Sequence, residues 1–444
     1  MTAIIPSQFR LDMAKKLITD VIASSYYLFI GRSEPWANDT SPDTPYDNQY
    51  STHFDTYQKM QSMKLIADND VSYAAVRNQW TSGTTYDEYD DRDTSLESRK
   101  YFVITDNNNV YICLKSGGSS SVSPDVGGIV TSGIIDFTAS DGYIWKYLFT
   151  LSSDASTKFL TSAFVPVTYL STNPGSTADT ALQNQWDVQS NATNGAIYNI
   201  KVTDGGSGYS GTPTVTLYGN GGGGFAATAV VTGSVVTGIH ISNYGSGFSE
   251  ANIVISGGGG SGATARAVLG PPGGFGADPR IDLRSHYVAM NSRLVYADGS
   301  GDFIIDNDFR QIGIIKDPYL HGTTTVATAD TLSTTKSLTV ATGGTFAVDS
   351  EIEGLTSTAK ALVDYYDSVN GIIRYHQTEE TGFKTFTTSD FVRVVGGTGS
   401  GQDVTAVNNA EVAKYSGDVI FLENRTPVSR SADQIETIKL VLEL

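Results

Sequence analysis

The stretch from Val202 to Val231, VTDGGSGYSGTPTVTLYGNGGGGFAATAVV, decides how the middle of this chain folds. It holds a glycine cluster, a Pro-flanked run, four consecutive glycines and a second apolar run. Two readings compete. A phosphate-cradling loop aims backbone N–H groups at an anion from a helix start, and its common form places Lys and then Ser or Thr after the last glycine. Here Gly221 to Gly224 lead into Phe225, Ala226 and Ala227, with no Lys nearby and Thr- and Val-rich sequence beyond. That composition predicts a strand.

The stretch also recurs. Gly206-Ser207-Gly208-Tyr209 returns as Gly245-Ser246-Gly247-Phe248, and Val215-Thr216-Leu217 as Ile253-Val254-Ile255. Gly221 to Gly224 with Ala227-Thr228-Ala229 return as Gly257 to Gly260 with Ala263-Thr264-Ala265. An ordered internal repeat is a structural signature before it is a chemical one. Glycine at φ > 0 permits sharp reversals between short strands. The sequence therefore predicts a Gly-rich double-repeat β module over residues 196–270.

Outward from that module, the bulk composition sets limits. The 444 residues are 39% hydrophobic and only 17% charged, which describes a folded chain with a neutral surface and not a disordered one. The 46 glycines, with many Thr, Val and Tyr, favour β structure. The net charge of −18 repels phosphate backbones and argues against a nucleic-acid partner. It favours solubility and, at longer range, steering toward basic partner surfaces. Cys113, in the alternating run NVYICLKS, is expected to be a buried thiol. A single Cys allows no intrachain disulfide, as expected of synthesis in a reducing cytoplasm. The start, MTAIIPSQFR, lacks the apolar core of a secretory signal, and no run approaches the ~20 apolar residues of a membrane span. No membrane partner is expected.

Ser7 caps a predicted amphipathic helix over residues 8–23. Phe9, Met13, Leu17 and Val21 follow at i+4 spacing, with Ile18 and Ile22 widening a stripe expected to face the core. YYLFIG (26–31) reads as a short buried strand. RKYFVITDNNNVYICLK (99–115) reads as a hairpin turning at Asp106 to Asn109. In DGYIWKYLFTLS, Trp145 and Tyr147 are expected on a core face and Lys146 facing out. GPPGGFGADP (270–279) looks like a linker. Residues 322–409 are Thr-rich and punctuated by glycine, which predicts a second small β domain with a hairpin at Asn370-Gly371.

Catalytic chemistry finds little support. The five histidines, His53, His240, His286, His321 and His376, lie far apart without metal spacing. YDEYDDRD carries Asp87, Glu88, Asp90, Asp91 and Asp93. It offers carboxylates for glycoside cleavage, but such a run is expected to be a solvated loop. Asp298 to Asp308 begins like a calcium loop, yet its twelfth position is Phe309 where Glu is needed. No reaction has its parts assembled. No catalytic residue, cofactor or metal ligand is expected, and the chain is expected not to be an enzyme.

Seven segments, taken in order, resemble one family: SQFR, FIGRSEPW, VYICL, DGYIWKYLF, FRQIGIIKDP, SGDVIFLENRTPV and DQIETIKLVLEL. Together they are similar to the T-even-type phage baseplate wedge subunit known as gene product eight. The resemblance implies a non-enzymatic homodimer whose partners are neighbouring wedge proteins and tail fibre components, in the tail baseplate of a virion assembled in the host cytoplasm. It implies a mainly β fold with a smaller α/β part and antiparallel β-sandwich-like domains. The expected organisation is a discontinuous wedge core of residues 1–195, 271–321 and 410–444, with 196–270 and 322–409 as two inserted β modules. Inserts of this kind survive best in surface loops. The segments nominate structural or interface residues: Arg32, Glu34, Trp36, Trp145, Arg310, Glu423, Asn424 and Arg425. Arg32 and Glu34, two apart, would share a face on a strand. The alternative is a virion adhesin whose inserts stack host glycans on Tyr209, Tyr218, Tyr244 and Phe248.

Overall fold

The computed structural model describes residues 4–46, 51–133, 137–175, 179–296, 302–397, 401–431 and 434–444, without the side chains of 51–53 and 137. The protein is mainly β, built of antiparallel sheets and a closed barrel, with a helix at Ser7–Ala23. The chain forms two compact units. The first takes residues 1–16, 72–289 and 441–444, and the second takes 17–71 and 290–440. The calcium-like stretch lies partly outside the described residues.

The helix differs from expectation in its face. Leu11, Ala14, Ile18 and Val21 are buried, while Phe9, Met13 and Ile22 are exposed. Both stripes obey the helical period.

In the first unit a four-stranded sheet runs in the order Phe102–Ile104, Asn109–Lys115, Ile144–Thr150, Phe137–Thr138. The predicted hairpin turns with Asn108 at φ 61°, a left-handed position that Asn tolerates. Both faces of this sheet are covered. Ile112 and Leu148 join one core with Tyr101, Tyr198 and Phe275. Cys113, Trp145 and Tyr147 join another with Tyr86 and Tyr143. Lys146 is therefore not outward: it is buried, and its ammonium donates to the Gly133 carbonyl at 3.0 Å. A sheet covered on both faces has no outward side for the alternation to serve. The expected linker is likewise packed. Phe275 is fully buried and meets Tyr89 and Tyr198 edge to face, with ring centroids 4.7 and 4.6 Å apart.

The double repeat forms one six-stranded antiparallel sheet. The first copy supplies Ile197–Ser207, Thr214–Asn220 and Gly223–Thr232, and the second supplies Val235–Ser246, Glu250–Ser256 and Ser261–Leu269. The two middle strands lie side by side, Thr214 opposite Ser256 and Asn220 opposite Glu250. The third strand of each copy then pairs with the first strand of the other, Gly223 opposite Ser246 and Ser261 opposite Ser207. The copies are thus interlocked about an approximate two-fold axis.

Equivalent glycines perform equivalent tasks. Gly206 and Gly245 have φ 60° and 62°. A Cβ on Gly206 would lie 2.4 Å from the Ala263 amide nitrogen, and one on Gly245 2.8 Å from the Gly223 carbonyl oxygen. Tyr209 packs on Gly260 and Phe248 on Gly222, where a Cβ would sit 2.5 and 2.3 Å from the ring. Both aromatics are buried, which removes two of the four candidate glycan stackers; Tyr218 remains 61% exposed.

In the second unit a five-stranded antiparallel sheet runs in the order Thr331–Ser333, Met60–Leu65, Tyr26–Gly31, Asp308–Lys316, Asp418–Ser429. Residues Lys336–Val340 through Gln402–Asn408 form a closed six-stranded barrel around Leu338, Ile352, Val363, Ile373, Tyr375 and Val404. Its hairpin turns at Gly371, φ 66°. The stretch 322–409 therefore divides. The barrel begins at Lys336, whereas Thr331–Ser333 pairs with Met60–Leu65 because Leu332 belongs to the core of the five-stranded sheet.

Candidate functional site

Seven of the eight nominated residues fall in the second unit, around the segment Gly31-Arg32-Ser33-Glu34-Pro35-Trp36. The strand Tyr26–Gly31 ends earlier than the shared-face argument requires. Arg32 already has φ 61°, so Arg32 and Glu34 do not alternate on a strand. Gly31 passes so close to the end of helix Ser51–Lys59 that a Cβ there would lie 2.7 Å from the Lys59 carbonyl oxygen. The Arg32 amide donates to that same carbonyl at 2.8 Å, and the Arg310 amide donates to the Arg32 carbonyl at 3.0 Å.

Side chains then knit the corner together. The Arg32 guanidinium lies 3.7 Å above the Trp36 ring and pairs with Asp55 at 3.3 Å. The Trp36 indole N–H donates to the Arg425 carbonyl at 2.9 Å. Arg310, almost fully buried, donates to the Ser33 carbonyl, to both oxygens of Asp39 (Nε at 3.1 and 3.2 Å, with Nη2 on Oδ2 at 3.1 Å) and to Asp308 at 3.0 Å. The Arg310 hydrogen bond, with the Trp36 amide, holds the Asp39 carboxyl below its usual range. Asn424 accepts from Gln311 at 2.8 Å and donates to the Asp43 carbonyl at 2.8 Å. Glu423 and Arg425 pair at 2.9 Å on a partly exposed face, where such a pair contributes little. Trp145 is the exception. It lies in the first unit, fully buried and stacked on Tyr143 at 5.2 Å.

The residue that sequence reasoning missed is His376. It is buried at the end of a barrel strand, with Nδ1 2.9 Å from Asp364 and Nε2 3.3 Å from Glu34. Ser33 also donates to Asp364, at 3.3 Å. Burial alone would lower the imidazole pKa, but the Asp364 charge and hydrogen bonds to Asp364 and Glu34 overcome it and push it up to about 9. Burial likewise opposes the charged Glu34, but the His376 hydrogen bond, with the charges of His376, Lys59 and Arg32, brings it down to about 2. Both groups are charged at neutral pH, which suits a fixed ion pair and not proton transfer. No spacing pattern marks His376, because its partners come from positions 34 and 364.

In the first unit, the acidic run does not form the expected solvated loop. Asp90 is buried and ion-paired with Lys201 at 2.9 Å and with Arg266; Glu88 pairs with Lys201 at 2.8 Å. Lys201 and Arg266 stand opposite each other on the strand pair Ile197–Ser207 and Ser261–Leu269. The run therefore clamps the edge of the six-stranded sheet. Burial opposes the Asp90 charge, yet hydrogen bonds from Arg266 and Lys201 hold its carboxyl well below the usual range. Asp90→Asn is expected to cost about 1.5–3 kcal/mol. It should speed amide exchange along Ile197–Ser207, read by mass spectrometry; unchanged exchange there would contradict the clamp.

Among the described residues, no group of three or more His, Cys, Asp or Glu side chains is placed to hold a metal ion. No described helix is long and apolar enough to cross a membrane. No family model matches the chain, and no curated protein shows significant similarity to it.

Proposed function

We propose that this protein is a structural subunit of a contractile phage tail baseplate wedge, acting as a homodimer that binds neighbouring wedge proteins in the virion. One observation carries the proposal. The segments FIGRSEPW, FRQIGIIKDP and SGDVIFLENRTPV, which bear the resemblance, lie far apart in sequence and fold into one corner. There Arg32, Trp36, Arg310 and Arg425 hold one another or one another's backbone, and Gln311 of the second segment donates to Asn424 of the third. A set of residues joined in this way fixes the shape of a surface, which is what a wedge component must present to its neighbours. The wedge core comprises residues 1–195, 271–321 and 410–444 together with the strand Thr331–Ser333, and the six-stranded sheet and the barrel are additions to it.

Light scattering on the purified protein is expected to give twice the 47.3 kDa chain mass. Co-expression with the wedge proteins of the same virion should yield a stable complex. A protein that stays monomeric at micromolar concentration and fails to join that complex would refute the proposal.

A further inference from the structure

A cleft of about 840 Å³ in the second unit opens between helix Ser51–Lys59, the Arg32–Glu34 corner and the barrel segment that follows His376. That volume suits a ligand larger than one side chain. Its lining includes one aromatic ring, that of Phe54. Phe54 lines the cleft, stacks on Tyr415 at 5.0 Å and meets Phe383 edge to face at 6.0 Å. Phe383 and Tyr415 are 46% and 47% exposed, which leaves aromatic surface open to solvent.

The charges in the cleft are unevenly matched. Asp55 is shared by Arg32 and Lys59, at 3.3 and 2.8 Å. Glu34 is shared by Lys59 and His376, at 3.6 and 3.3 Å. Every cation lining the cleft is thereby engaged. Glu379 and Glu380 also line it, both exposed, and neither takes part in an ion pair or side-chain hydrogen bond among the described residues. Two adjacent free carboxylates in a cleft that also presents the Phe54 ring match one chemistry: a planar cation that stacks on a ring while donating in-plane to carboxylate oxygens.

We propose that this cleft docks an arginine-bearing segment of a partner protein. The guanidinium lies against Phe54 and donates to Glu379 and Glu380, and the aliphatic neighbours of the arginine lie along Leu362. Lysine fits less well, because a point-charge ammonium neither stacks nor donates bidentately. An acidic ligand is opposed by the two carboxylates and by the net charge of −18, which also draws basic segments in. The proposal stands on the cleft alone and does not depend on the wedge assignment.

Fluorescence anisotropy tests it with the full-length protein and a labelled hexapeptide carrying two arginines between leucines. A twin peptide with citrulline in place of arginine keeps the shape and removes the charge. The arginine peptide should bind at least about tenfold more tightly than the citrulline peptide, and E379Q/E380Q should remove that preference. Phe54→Leu should weaken the arginine peptide while circular dichroism shows the fold intact. Equal binding of both peptides, or undiminished preference in E379Q/E380Q, overturns the proposal. Displacement by spermine as effective as by unlabelled arginine peptide also overturns it, since the cleft would then take any cation.

Discussion

His376→Ala is expected to destabilise the protein by about 3–5 kcal/mol, the usual cost of removing one member of a buried ion pair. The substitution leaves Asp364, 1% exposed at its side chain, with no opposite charge on that side, and strips Glu34 of its closest cation. The pH dependence follows from the two shifts. His376 is raised from 6.5 to about 9, so its contribution is complete below about pH 6.5 and is lost as the pH rises through about 9. Glu34 is lowered from 4.5 to about 2, so its contribution is complete above about pH 4.5 and is lost as the pH falls through about 2. Urea unfolding of the wild type, followed by fluorescence from pH 5 to 8, should show stability falling above about pH 6.5; above about pH 8 the buried Lys414, lowered from 10.5 to about 8, acts in the opposite sense. In His376→Ala that fall should be largely absent. A variant as stable as the wild type at pH 6, or with the same alkaline decline, would show that the imidazole is not the keystone described.

Gly206→Val is expected to unfold or splay the six-stranded sheet at a cost of about 2–5 kcal/mol. Left-handed strain contributes about 1–2 kcal/mol and overpacking about 1–3 kcal/mol. Gly206 has φ 60°, and its added Cβ would meet backbone atoms of Ser261 and Ala263 at 2.4 Å, which cannot swing aside as a side chain can. Gly245→Val should behave alike but more mildly, since its nearest backbone contact is 2.8 Å. Limited proteolysis should cut Gly206→Val within residues 197–269 faster than the wild type. Gly238→Val, at a position with open space around it, serves as control. Equal cleavage of all three variants would remove the assigned role of the glycine pair.

The contrast between these two sites shows what a sequence reader can recover. The repeat was legible because its signal is local: glycines and alternating apolar residues recur in order, and the first two recurrences land on equivalent places in the sheet, while the third is displaced by two residues, Gly222 and Ala227 matching Gly260 and Ala265. YYLFIG and the 99–115 hairpin were legible for the same reason. Which neighbour covers a face is not local. Lys146 obeys the strand alternation but lies under a second layer, and the Phe9–Met13 stripe is as helical as the Leu11–Ala14 stripe that is buried instead. The acidic run reads as solvated until Lys201 and Arg266, more than a hundred residues downstream, are brought against it. His376 is the extreme case, since nothing within ten residues of it announces Glu34 or Asp364.

The interlocked repeat also dictates an order of events during protein synthesis. The strand Ile197–Ser207 leaves the ribosome first of the six, yet its partner in the sheet, Ser261–Leu269, leaves last. An early half-sheet therefore carries an unpaired first strand, Ile197 and Ile200 included, through the translation of some sixty further residues. At roughly 5–20 residues per second that wait lasts seconds. Such a strand is a ready edge for another nascent chain. The polar run Thr203-Asp204-Gly205-Gly206-Ser207, which fills its far half, makes that edge a poor template until its proper partner arrives.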